Sequence, residues 1–523
     1  MSLSTFSGLY IAKSGIRGAR ANLQVTGQNM ANVNTEGYTK QSVLTSSIGP
    51  TGGSRIAGSN LQIGNGVDSN GLIQSRDSYL DIRYRQKNAV VGQTGTILNT
   101  LTSIDKKLDE TVSNGINAQL SALISTLNSY QSTKAAGFED NLKGTASKLT
   151  DTLHLAANNL ASIKKETLDK LQKNSIETAN QLLRDIASLN AEIKNSEISG
   201  SNALELKDRR NSMIDSLSKF ANIEVSQTQI AVGVSSVNTM QIDLVSGDKK
   251  FSLVDDIHYN QFSLDTAGAS VNIQLKTTGN PPADVTWHDP ADATDKKLTN
   301  ADVTLGEFGG YLTMLNGNGE YDTPATTRGI SYYQNILDTM ANKFAEIMNQ
   351  ANSSRSDIVD KPLFQASDGK PINASNIQLS EAWRSSSSSD NYFVATKSDG
   401  TTGTNGTSSA GNNIANIIGL LTKENPITTN SGTPLFSSSI TGFMSTVVNS
   451  ILAIQTSSIG NENSSAVSEL DETDLERSSV SAVDINEEGI NLIQYNHALS
   501  ASSRFMSTIN DMLDTIINKM GIV

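Results

Sequence analysis

DINEEGINLIQYNHALSASSRFMSTINDMLDTIINKMGIV, residues 484–523, closes the chain. Ile485, Leu492, Tyr495, Leu499, Ser502, Met506, Ile509, Leu513, Ile516, Met520 and Val523 recur at three- and four-residue steps, interrupted only by Glu488. A 3.5-residue period predicts a helix with a single apolar seam. A helix of this kind is marginal alone in water, so the seam needs a partner.

The opposite end of the chain offers one. Leu9, Ala12, Ile16, Ala19, Leu23, Thr26, Met30 and Val33 share one face of a second predicted helix, which Asn34, Thr35 and Gly37 then stop. Residues 1–37 carry Lys13, Arg17 and Arg20 against Glu36, a side-chain net of +2. Residues 484–523 carry Asp484, Glu487, Glu488, Asp511 and Asp514 against Arg504 and Lys519, a net of −3. Opposite signs favour pairing, although exposed ion pairs contribute only about 0–1 kcal/mol each, so seam burial should dominate. Periodicity alone fits two helices of one domain core as well as a pair made for a polymer.

Between the ends, 523 residues allow roughly three domains. Residues 38–79 read as extended chain with turns. Long helices are expected over Ser78–Leu127 and Asn141–Asn195, and a shorter one over Ser201–Phe220. From Ile223 the apolar period changes to two, in Met240–Val245, Phe251–Val254 and Val271–Leu275, with Pro281, Pro282 and Pro290 nearby, so a β domain is expected at 223–302. Helix returns at Asp302–Leu315 and Arg328–Asn352. Residues 361–408, with the run Ser385–Ser389 and the stretch Gly400–Ser409, read as a polar irregular segment or a small β insertion. Helical signal resumes near Asn412 and covers most of 438–483.

Several chemistries find no support. Zero cysteine excludes disulfides and thiolate metal sites. A net charge of −13 without a basic stripe argues against a nucleic-acid partner. Lys13, Arg17 and Arg20 interrupt the first twenty residues, so a cleaved secretory signal is not expected, and no apolar run reaches the roughly 20 residues of a membrane span. Of His154, His258, His288 and His497, none stands in an H-E-x-x-H helix. Neither a G-x-S-x-G elbow nor a Walker A loop occurs. Asp208, Arg209 and Arg210 read as salt-bridging groups on a helix surface and at domain contacts. No catalytic residue, cofactor or metal ligand is expected.

Asn29-Met-Ala-Asn-Val-Asn-Thr-Glu-Gly-Tyr-Thr-Lys-Gln41 resembles the N-terminal signature of the flagellar axial proteins, A-N-x-x-T-x-G-Y/F, through Ala31, Asn32, Thr35, Gly37 and Tyr38. Val483–Glu488 is similar to the closing motif S-G-V-N-L-D-E-E of that group, with Ala482 in place of its glycine and Asp484 and Asn486 exchanging acid and amide. The middle resembles one branch, the hook-associated protein 1 family of hook–filament junction subunits. Leu206, Asp208, Arg209 and Leu217 match L-x-D-R-D-x-L-x-x-x-L, with departures at Arg210 and Asn211. Gly306, Glu307, Gly309 and Gly310 match G-E-L-G-G-L-L, and Leu337–Ala345 resembles the helix that follows.

The resemblance implies a secreted structural subunit, without enzyme activity, that leaves through the type III apparatus without a cleaved signal. Its implied partners are copies of itself, the hook protein, the next hook-associated protein on the filament side and an export chaperone. The family's terminal segments are disordered in the free subunit and pair as helices inside a tube. The expected architecture is multidomain α+β. A discontinuous terminal helical coiled-coil domain (1–37 and 484–523) joins a long-helix bundle (38–222, 303–360 and 409–483), with an inserted β-rich outer domain (223–302). The expected assembly residues are Leu9, Ile16, Leu23 and Met30 with the signature, and Ile485, Leu492, Tyr495, Leu499, Met506, Ile509, Leu513, Ile516 and Met520. Alternatives are a hook or distal rod subunit, a secreted enzyme displayed on a flagellar subunit, and a non-flagellar type III translocator, which the Ala31–Tyr38 signature disfavours.

Overall fold

The computed structural model describes residues 7–49, 64–108, 115–133, 137–232, 235–268, 270–277, 296–299, 301–353, 361–387, 392–395, 411–429 and 432–519. Pro281, Pro282, Pro290, His288, Gly400–Ser409 and Met520 lie outside them.

Two terminal helices pack on each other: α1 (Ser7–Ala31) and α13 (Ile485–Asp514), the latter extended by a π turn at Thr515–Lys519. The antiparallel hairpin β1 (Gln41–Ser47) and β2 (Val67–Gln74) lies against α1. Its place beside α1 corrects the expectation that residues from 38 onward join the long-helix bundle. The physical reason is short: β2 starts where the Val67 amide donates to Ser14 Oγ on α1, at 3.2 Å.

The body starts with α2 (Ser78–Lys107), whose first turn is capped by the Asp77 carboxylate accepting from the Tyr79 amide at 2.8 Å. The expected single helix Ser78–Leu127 is two, α2 and α3 (Ile116–Thr133). The intervening sequence holds Asn114-Gly115, a turn dipeptide. α4 (Phe138–Lys170) runs through a π turn (Leu171–Ile176) into α5 (Glu177–Ile198), and α6 (Leu204–Ser218) follows. Six strands then form one antiparallel meander: β3 (Ile223–Val232), β4 (Ser235–Ser246), β5 (Lys249–Asp255), β6 (His258–Asp265), β7 (Asn272–Thr277) and β8 (Lys296–Leu298). Its buried face, including Ile242, Leu244, Leu253, Phe262 and Ile273, packs on the side of α5, and Asn180 of α5 exchanges hydrogen bonds with the Phe262 backbone.

Chain returns to the helices through α7 (Gly306–Asn316) and α8 (Ile330–Ser353). Residues from 361 are better packed than their polar composition suggests. A hairpin, β9 (Phe364–Ala366) with β10 (Ile377–Leu379), and the short α9 (Glu381–Ser385) bury Phe364, Ile377 and Trp383, and the Trp383 indole N–H donates to Glu139. After α10 (Asn412–Thr422) and the hairpin β11 (Asn425–Thr428) and β12 (Pro434–Ser438), helix α11 (Phe443–Thr446) passes through a π turn into α12 (Ala453–Ser481), which packs antiparallel along α2.

One apolar core joins α2 through α11 and the sheet, from Ile97 to Leu452. Among the described residues, nothing from α1 or α13 belongs to it.

Candidate assembly interface

Spacing of seven residues organises the contact between α1 and α13. A Cβ at Gly8 would stand 3.0 Å from Ile509 Cδ1, and one at Gly15 would stand 2.9 Å from Ser502 Oγ and 3.5 Å from Ser502 Cβ. Asn29 donates to Glu488 Oε1 at 3.1 Å. Residues 8, 15 and 29 thus face 509, 502 and 488, an antiparallel pairing in heptad steps. The same register places Asn22 opposite Tyr495. Small residues let the backbones approach: Ala12, Ala19 and Thr26 are buried on α1, while the buried Gly18 faces Val67 of β2.

Leu492, Tyr495, Leu499, Met506 and Ile509 are half-buried on α13, and Leu513 is buried. Leu9, Ile16, Leu23 and Met30 are half-buried along one edge of α1. Ile485 is exposed, and the side chains of Ile516 and Met520 are outside the described set. The exposed side of α13 is mostly polar but carries several large apolar side chains: Ile490 and Ile493 keep 65 % and 58 % of their surface in solvent, and Phe505, Met512 and Ile517 further along the helix are exposed.

The expected charge complementarity takes another form. Lys13, Arg17 and Arg20 are exposed, and among the described residues no ion pair links them to α13. Lys40 supplies the link instead, 2.8 Å from Glu487 and 4.0 Å from Glu488. Asp484 caps α13 by accepting from the amides of Asn486 and Glu487. Glu487 and Glu488 occupy the first turn, where the helix dipole favours negative charge.

The signature motif forms the joint between this pair and the body. Ala31 ends α1. Thr35 turns back on Asn32 through its amide and hydroxyl, and Gly37 takes a φ of +76° with its Cα facing Ser212 of α6. A side chain at Gly37 would be strained whatever the space around it. The Tyr38 hydroxyl donates to Asn29 Oδ1 at 2.9 Å. Burial, reinforced by the Glu205, Asp208 and Glu488 carboxylates, pushes its pKa up to about 12, so it stays a neutral donor. Asn29 also exchanges hydrogen bonds with the Gln41 backbone, donating at 2.9 Å and accepting at 3.1 Å. The Lys40 amide donates to the carbonyl of Ser481, the last residue of α12.

Asp208 receives this loop on the body side. It accepts from the Thr39 amide at 3.1 Å and the Thr39 hydroxyl at 2.7 Å, with Arg76 at 3.8 Å. Burial outweighs these contacts and raises its pKa above the ordinary carboxylate value. Charges then alternate inward: Arg76 pairs with Asp81, Arg477 lies 3.8 Å from Asp81 and 2.6 Å from Asp215, and Arg85 lies 2.7 Å from Asp215. Arg477 also stacks 3.9 Å from the Tyr84 ring centroid. A cleft of about 780 Å3 opens beside the joint, lined by Asn32, Thr35, Tyr38, Arg76 and Asp208 among others.

The surface role expected for the Asp208–Arg210 knot holds only for Arg209, which is exposed. Arg210 is buried and donates to Asn190 at 2.9 Å, with burial lowering its pKa to about 10. Leu206 is half-buried and Leu217 fully buried. Gly306, Gly309 and Gly310 act through close packing. Gly306 has a φ of +78° and sits against the Phe220 carbonyl, a Cβ at Gly309 would meet Thr304 at 2.6 Å, and one at Gly310 would meet Gln93 O at 2.8 Å. Glu307 and Phe308 donate their amides to the carbonyls of Lys219 and Phe220, and Glu307 accepts from Ser175.

Sequence reasoning missed Asn29, Gln41, Arg76, Asp215 and Arg477 as partners in one joint, and took Glu488 for an interruption. For Glu488 the heptad itself carried a signal, a polar residue at a seam position, whereas Asn29 lies beside the face expected for the first helix. Among the described residues, no cluster of three or more His, Cys, Asp or Glu could hold a metal, and no helix is long and apolar enough to cross a membrane. His154 bonds the Ile377 carbonyl, and His497 is exposed.

Residues 101–363 match the family described as flagellar hook-associated protein FlgK helical domain, and residues 476–519 match flagellar basal body rod FlgEFG protein C-terminal. The chain is 24% identical over 539 residues to flagellar hook-associated protein 1 of Bacillus subtilis, covering 99% of each. It is 24% identical over 359 residues to the protein of that name in Salmonella typhimurium, covering 65% of this chain and 55% of the relative. The flagellar hook junction protein FlgK from Burkholderia pseudomallei aligns with a TM-score of 0.40 and 18% identity, over 56% of this chain and 46% of that one.

Proposed function

The chain belongs to the flagellar hook-associated protein FlgK family, and from that premise we propose that it joins hook to filament as a ring- or tube-forming subunit assembled through α1 and α13. The observation that carries this reading is the division of apolar surface in the terminal pair. Its inner seam is filled by small residues, while Ile490, Ile493, Phe505, Met512 and Ile517 face solvent. Each such side chain contributes roughly 1.5–3 kcal/mol when fully buried, so a neighbouring copy is their natural cover. Contacts between subunits along such a tube are heterologous.

In this arrangement the terminal pair lines the tube, the helical body forms the next shell and the β3–β8 sheet faces outward. The hook protein on one side and the next hook-associated protein on the other complete the junction. Export occurs through the flagellar type III route with a chaperone, and the role is mechanical rather than enzymatic. A hook or rod subunit would share the C-terminal match, but the match over 101–363 favours the junction role.

Deleting residues 484–523 tests the reading. The truncated protein should keep the thermal transition of the body and fail to bind purified hooks in electron micrographs. Binding of the truncated chain at the hook tip, or loss of the body's transition, would overturn it.

A further inference from the structure

Among the described residues, Glu488 is the one charged residue buried in the seam of α13. It is 1 % exposed. Its Oε1 accepts from Asn29 at 3.1 Å, Lys40 stands 4.0 Å away, and its Oε2 has no hydrogen-bond partner. Burying a carboxylate with this little compensation costs stability, and an apolar residue at the same seam position would pack better. On the α1 side, Gly8, Ala12, Gly15 and Ala19 offer a similar shallow surface at successive heptads, whereas α13 presents Ile509, Ser502 and Tyr495 to positions 8, 15 and 22. Asn29 adds a polar contact that only one alignment satisfies. It is held by the Gln41 backbone and the Tyr38 hydroxyl, so its position on the joint is set before α13 arrives.

We propose that the Asn29–Glu488 pair sets the register of α13 on α1, giving up stability to select one alignment of the terminal pair and anchor it to the signature loop. Buried polar residues at seam positions fix the register of coiled coils in the same way. Glu488 is a positioning residue in this account. The pairing lies within one subunit, so the inference stands whether or not that subunit joins a hook.

The chain contains no cysteine, so engineered pairs report register cleanly. Gly15→Cys with Ser502→Cys reads the observed alignment, since the Cβ separation there is 3.5 Å and suits a disulfide. Gly8→Cys with Ser502→Cys, and Gly15→Cys with Ile509→Cys, read slips of one heptad in either direction. In the observed register these partners are offset by about 10 Å along the helix, too far to bridge. Each pair is introduced into the full chain with Glu488 unaltered, with Glu488→Gln and with Glu488→Leu, and oxidised under mild conditions.

With Glu488 or Glu488→Gln, which retains an acceptor for Asn29, the 15–502 bond should exceed either slipped bond by about tenfold or more. With Glu488→Leu the helices should still pair, seen as undiminished total crosslinking, while the ratio collapses toward unity. A role confined to stability would lower all three bonds together and leave the ratio standing, which overturns the proposal. Failure of the 15–502 bond to form with Glu488 unaltered overturns it as well.

Discussion

In the helical body, Leu101, Ile104, Leu120, Leu123, Phe308 and Trp383 are completely buried, and the buried Arg85 meets Asp215, which Arg477 shares, at its margin with the signature loop. The terminal pair reverses this. Its interior holds Ala12, Gly15, Ala19, Asn29 and Glu488 with Leu513, and the large side chains Ile490, Ile493 and Phe505 are exposed. The body puts most of its large apolar residues into its own core and leaves others, such as Leu155, Ile454 and Leu475, exposed. On the proposed reading, the pair keeps such residues for a surface that another copy covers. Glycine follows the same division: in the body it admits backbone to backbone, whereas in the pair it admits the flexible ends of side chains.

That last contrast gives the largest expected effect. Gly306→Ala places a Cβ against the Phe220 carbonyl on a backbone with φ +78°. It should destabilise the body by on the order of 4 kcal/mol in denaturant melts. Gly8→Ala meets the side chain of Ile509, 3.0 Å from Cδ1 and 3.3 Å from Cγ1, and should leave the body's melt unchanged. A comparable loss at Gly8 would erase the distinction between the two regions.

A core truncation sharpens it further. Leu101→Ala should lower body stability by about 2–5 kcal/mol. Phe505→Ser, at a site 43 % exposed, should fall within about 0.5 kcal/mol of the unaltered protein and yet reduce binding to isolated hooks. If Phe505→Ser unfolds the body, α13 belongs to the core and the deferred-burial account fails.

The comparison also explains what was legible in the sequence. Period reports which face of an element is apolar. It therefore revealed α1, α13, the alternation in β4 and the seam through Leu492, Leu499 and Leu513. It does not report what lies opposite. Asn29 and Glu488 are separated by hundreds of positions, so their meeting was invisible and Glu488 looked like a flaw. Asp208 and Arg210 read as salt-bridging groups on a helix surface and at domain contacts, and composition says nothing of how deeply they are buried. Trp383 was overlooked for a related reason: it packs with Phe364 and Ile377 of two three-residue strands, too short to show a period, beside Phe344 of α8. The glycines at 306, 309 and 310 were readable as a motif, while the cause at 306 and 310, the approach of the Phe220 and Gln93 backbones, is tertiary.

The smallest expected effect lies at the joint between the two regions. Asp208 is held by Thr39 and Arg76, but burial dominates and raises its pKa in the folded protein. The folded state therefore keeps the Asp208 proton to higher pH than the unfolded chain does. Its contribution to stability is fullest below the ordinary carboxylate range, declines as pH rises toward the raised folded value, and is flat above it. Asp208→Asn carries no such dependence. The stability of the unaltered protein minus that of Asp208→Asn should thus fall between about pH 3 and the raised pKa, then level off toward neutrality. Denaturant melts of both proteins across that range measure the difference directly. A difference that grows with pH would mean that the Thr39 hydrogen bonds outweigh desolvation. The joint would then be a favourable ionic clasp whose acid-range protonation releases the signature loop, instead of a buried charge that the body tolerates in order to hold the terminal pair in place.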